Sequence, residues 1–112
     1  MAHIDYLIQI GDDSSVVVTP DKGSGFVLRE NDTVTFRSNK PDTVIVYVET
    51  SPFDNPGPGT QLAIGPDKKG PFKIVGPKVA SQTTVFHDFA CGRLVNGAFV
   101  PWAGGNSTPV GN

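Results

Sequence analysis

A chain of 112 residues is long enough for one hydrophobic core and too short for two. Nine basic residues against eleven acidic ones give a net charge of -2, with neither sign gathered into a block. That pattern excludes the electrostatic footprint of a nucleic-acid binder and a polybasic membrane patch, and no apolar run approaches the ~20 residues of a membrane span.

Gly 13 and Pro 10 together make 23 of the 112 residues, against an ordinary share of roughly 12 %. They have no Gly-x-y period and sit between short apolar runs, so they read as turn chemistry in an all-β domain. The lone Cys91 excludes an internal disulfide framework and fits a reducing compartment without excluding an oxidising one. The opening Met1-Ala-His-Ile-Asp-Tyr6 has neither the charged nor the apolar region of a secretory leader. The chain is expected to be soluble, and either cytoplasmic or a mature secreted protein.

In chain order, alternating or clustered Val, Ile, Thr and Phe predict strands over 4–10, 15–19, 25–29, 33–38 and 43–49, then 72–75, 83–89, 93–95 and 98–102. Gly11-Asp-Asp-Ser-Ser15 interrupts the first extended stretch, which suggests a bend or bulge, and Glu30-Asn-Asp32 reads as a tight turn. In 33–37, Val34 and Phe36 face opposite to Thr33, Thr35 and Arg37. The 43–49 strand is apolar on both faces, as expected for the centre of a sheet covered on both sides. Positions 50–71 form a long Gly/Pro-rich excursion with little regular structure, and loops of that length tend to be functional or mobile. Asn96-Gly97 is the strongest hairpin signal, because both residues accept the positive φ angles of a type I′ turn. Residues 1–102 therefore read as one domain, and 103–112 as a flexible polar tail.

Several residues are candidates for chemistry. His87 and Cys91 would make a nucleophile and base only with a third orienting group and an oxyanion hole. On one strand face they would lie about 13 Å apart, too far for proton transfer. His3 near a free amino terminus can complete a square-planar nitrogen site for Cu(II) or Ni(II), although loss of Met1 ahead of the small Ala2 would alter that spacing. Asp12, Asp13, Asp54 and Asp67 are oxygen donors without the converging spacing of a calcium loop. Phe53 and Trp102 are either core aromatics capping the sandwich or, beside the Pro-rich excursion and Asp54, an apolar patch for a partner.

The segment Asn31-Asp-Thr-Val-Thr-Phe-Arg-Ser-Asn39, followed by a strand from Thr43, resembles the central hairpin of the cupredoxins. Val85-Phe-His-Asp-Phe-Ala-Cys91 resembles the strand of that family that ends in the copper-ligating Cys. The resemblance implies a Greek-key antiparallel β-sandwich, cupredoxin-like, with an immunoglobulin-like sandwich as the alternative. It also implies that the first strand is paired inside a sheet rather than left at an edge. The ligands of a blue-copper site depart from the pattern. Asp42 or Thr43 stands where the upstream His would be, and Gly92-Arg-Leu-Val-Asn-Gly97 after Cys91 holds neither His nor Met.

The expectation is thus a non-catalytic, cupredoxin-like binding or structural module, not an enzyme, with no cofactor and no type 1 copper. The 50–71 loop is the expected protein-binding surface, and the expected binding residues are Phe53 and Asp54 within it and Trp102 outside it. No nucleic-acid or membrane partner is expected, and a monomer is. The alternative is a copper-binding or redox protein acting through His87 and Cys91, with His3 as a further metal candidate.

Overall fold

A computed structural model describes residues 2–23, 25–75 and 83–111. Its eight strands are β1 (His3–Ile10), β2 (Val16–Pro20), β3 (Thr33–Ser38), β4 (Thr43–Tyr47), β5 (Leu62–Ile64), β6 (Lys69–Lys73), β7 (Thr84–Val95) and β8 (Ala98–Gly111). They form two four-stranded sheets packed on one another, in the orders β2-β1-β3-β6 and β5-β4-β7-β8. No helix occurs among the described residues, so none there is long and apolar enough to cross a membrane.

Period-two alternation builds the core. Ile4, Tyr6, Ile8 and Ile10 of β1 turn inward, and Val34 and Phe36 do so from β3. The opposite sheet contributes Ile45 and Tyr47 from β4 with Phe89 and Cys91 from β7. The aromatic rings interlock: Tyr6 stacks on Phe36 at 5.5 Å, and Phe89 meets both edge-on at 5.6 and 5.9 Å. β4 lies between β5 and β7 and buries Val44 on one face and Ile45 on the other, but it ends at Tyr47, two residues short of the expected strand, and Val48 is exposed. Asn96 and Gly97 have φ of 51° and 82°, and Val95 pairs with Ala98 across that turn.

The structure departs from the sequence expectations at several points. β1 runs parallel to β3, from His3 opposite Thr33 to Ile8 opposite Ser38, so the sandwich is mixed rather than wholly antiparallel. β2 and the 21–32 connection carry the chain back to the starting end, which a tight hairpin could not do. Residues 25–29 are not a sheet strand. Leu28 makes one isolated bridge to Val110, its N–H donating to the Pro109 carbonyl and its carbonyl accepting from Gly111 N–H. The 93–95 stretch is the continuation of β7 past a register shift between Ala90 and Gly92. The excursion hides β5 in Leu62–Ile64, while its later part supplies β6 two or three residues earlier than expected.

The largest correction concerns 103–112. Up to Gly111 this stretch is the second half of β8, paired residue by residue with β7, and Thr108 and Val110 are fully buried. Its Gly and Pro content suggested a fraying tail. The 12-residue β7 alongside supplies a complete ladder of partners instead. Asn112 lies outside the described residues.

Candidate functional site

β7 places His87, Phe89 and Cys91 on one inward face at alternate positions, with Asp88 turned out to solvent. His87 and Cys91 are therefore separated by the Phe89 ring position and by roughly 13 Å of strand rise. His87 Nδ1 lies 2.8 Å from Thr50 Oγ1. Its Nε2 is buried without a partner among the described residues, and burial pulls the imidazole below its ordinary pKa. A neutral ring with Nδ1–H donating to Thr50 leaves only a lone pair, not an N–H, in the buried position. Nothing in this arrangement orients His87 toward Cys91.

Cys91 is 0 % exposed and reduced, paired through its backbone with Ile45 in mid-sheet. Burial pushes its thiol up to about 12, the opposite of what a nucleophile or a metal-seeking thiolate needs. The resemblance would put Cys91 at a strand end beside a ligand loop, but β7 runs on to Val95. At the upstream position, Thr43 is sealed in the interior. Its hydroxyl donates to the Lys40 carbonyl at 2.9 Å and shares a 2.7 Å bond with Ser38 Oγ. Asp42 is exposed with a φ of 64°. These side chains close a turn, and among the described residues no three metal-binding side chains converge.

His3 sits elsewhere, on the outer face of the other sheet. Its Nδ1 is 2.7 Å from Thr33 Oγ1 and its Nε2 is 2.8 Å from Asp5 Oδ1. Asp5 also accepts from Thr35 Oγ1 and, at 3.0 Å, from Lys68 Nζ. The Thr35 bond, followed by Lys68 and His3, holds the Asp5 carboxyl well below the usual carboxylate range. Both His3 nitrogens are thus committed to neighbours, while Met1, on which the amino-terminal metal reading depends, lies outside the described residues.

The three expected binding residues, Phe53 and Asp54 in the 50–71 loop and Trp102 beyond it, differ in exposure. Phe53 is 3 % exposed and packs edge-on against Tyr47 at 5.6 Å and Phe36 at 6.4 Å, with a backbone bridge to Ile74. Ser51 pins the loop, its Oγ donating to the Pro56 carbonyl and accepting from Phe53 N–H. Trp102 is half-buried against the core, and Asp54 alone is exposed. Of the two readings of Phe53, core aromatic or exposed patch, its burial fits the first.

What sequence reasoning missed is a cleft of about 660 Å³ on another side of the molecule, walled by Val18 and Pro20 of β2, Phe26 and Val27 of the connection, and Phe86 and Pro109 of the β7–β8 ribbon. Its one legible signal was Phe86, an aromatic at an outward position between Val85 and His87; it is 62 % exposed. The chain matches no family model, no curated protein and no solved structure with which it was compared.

Proposed function

We propose that this chain is a non-catalytic binding or structural module built on a Greek-key, cupredoxin-like sandwich without a type 1 copper site. The observation that carries the reading is Cys91, the one thiol of the chain, which is wholly buried in mid-strand with its pKa raised. A thiol in that setting is a small apolar core residue. The cupredoxin-like class is supported by β1, which is paired on both sides within its sheet, and by the adjacency of the Thr43 and Cys91 strands. The competing redox reading has against it the separation of His87 from Cys91 and the attachment of His87 to Thr50.

Two measurements test this. Under native conditions at pH 8, iodoacetamide should modify Cys91 no faster than the protein unfolds. Titration with Cu(II) should give no intense thiolate-to-copper absorption. Rapid stoichiometric alkylation, or an intense band lost in Cys91→Ser, overturns the proposal.

A further inference from the structure

The cleft beside Phe86 rests on the same binding-module reading and gives it a ligand class. It is a built feature rather than a dimple between loose side chains. Leu28, tied to Pro109 and Gly111 of β8, draws the 25–27 stretch across the strand edge. Phe26 is anchored from behind by an edge contact with Tyr6 at 6.2 Å. Phe86 and Pro109 face each other across the β7–β8 ladder. Phe86 is the most exposed large apolar side chain among the described residues, and it stands in a concavity rather than on a convex surface.

The lining decides the chemistry. Among the described residues that form it none is charged, so an ion entering the cleft would lose hydration with no counter-charge to receive it. Two phenyl rings and two prolines suit a flat aromatic body, and the volume is that of an ordinary small-molecule site. Polar capacity is present but neutral. Asn106 Oδ1 accepts from Ser107 N–H at 2.8 Å, and among the described residues Asn106 is the one lining side chain that carries an amide N–H donor. We propose that this cleft binds an uncharged aromatic small molecule, held by Phe26 and Phe86 and oriented by a hydrogen bond from Asn106.

The test uses N-phenylnaphthylamine, an uncharged aromatic probe that brightens in apolar surroundings, beside its sulfonated analogue anilinonaphthalene sulfonate. The neutral probe should bind saturably, one per chain, and the sulfonate about tenfold more weakly or worse. Phe86→Lys, a substitution of an exposed side chain, should lower affinity for the neutral probe by at least about tenfold with melting temperature unchanged. Leu94→Ser, at another exposed apolar position of β7, should leave binding intact and serves as the surface control. Equal binding of both probes, non-saturable binding, or full retention in Phe86→Lys overturns the proposal. So does a dimer that Phe86→Lys converts to monomer, which assigns the cleft to a second copy. Alkylation of Cys91 on the same preparation separates the two readings. An unreactive thiol without probe binding removes the cleft and leaves the non-catalytic module standing, whereas a reactive thiol with saturable binding does the reverse.

Discussion

Burial of His87 opposes protonation of its ring. Burial lowers its pKa, so between the unfolded value near 6.5 and the lower folded value the unfolded chain binds the extra proton. Stability is therefore full above about pH 6.5 and falls as the pH drops below it. Urea midpoints measured at pH 7.5 and pH 5 should show this loss, and His87→Gln should reduce the difference. The Asp5 network acts in the same direction but only at more acidic pH, near and below the ordinary carboxylate range, so the two effects separate on the pH axis. A second residue-scale prediction concerns Thr108, which bonds Tyr47 Oη at 2.8 Å and accepts from Tyr6 Oη at 3.4 Å inside the core. Burial raises the pKa of both tyrosines, Tyr6 to about 12 and Tyr47 further. Thr108→Val strips both hydroxyls of this partner and should cost about 1–3 kcal/mol in denaturant unfolding. At this scale the inward face of β7 was readable, since His87 and Cys91 follow simple alternation. The burial of Phe53 was not, because in a Gly/Pro-rich loop the direction of one aromatic is set by the chain folded beneath it. The cleft was less readable still, its walls coming from four separated stretches of sequence.

Among the elements, β4 and the Asn96–Gly97 hairpin were legible because their signals are local: two-sided apolarity in one, turn chemistry in the other. β5 and the second half of β8 were not, since they become strands by lying against β4 and β7 rather than by their own propensity. Removing residues 103–112 tests that dependence. A flexible tail would be dispensable, whereas loss of Thr108 and Val110 from the core should abolish the cooperative thermal transition and the dispersion of amide resonances. The bulge on β7 makes a further prediction. A Cβ at Gly92 would be driven into the Val100 carbonyl and sit 2.8 Å from Pro101 Cα, whereas one at Gly97 meets open space and strains only a φ of +82°. Gly92→Ala should cost about 3 kcal/mol or more and Gly97→Ala about 1 kcal/mol, measured by urea unfolding.

Among the described residues the two sheets end in four edge strands, β2, β6, β5 and β8, which are protected unevenly. β6 carries Lys69, Pro71 and Lys73, and β5 is three residues long. β1, the long apolar strand most suited to pairing with a second copy, is enclosed between β2 and β3. A monomer is therefore expected, and sedimentation equilibrium at micromolar concentration should return 11.8 kDa rather than twice that mass. The Tyr6–Thr108 and Leu28–Val110 links have a consequence for biosynthesis. They join the beginning of the chain to positions about 80 to 100 residues later, and the parallel β1–β3 pair adds no short hairpin of its own. Contacts of such span close late. On the ribosome β1, β2 and β3 can pair once β3 has emerged, but β7, whose Phe89 packs on Tyr6 and Phe36 from the opposite sheet, and β8 emerge last. Translation at about 5–20 residues per second thus imposes an interval of exposed Tyr6 and Phe36. Synthesis of this protein should depend more on chaperone capacity than its small size suggests.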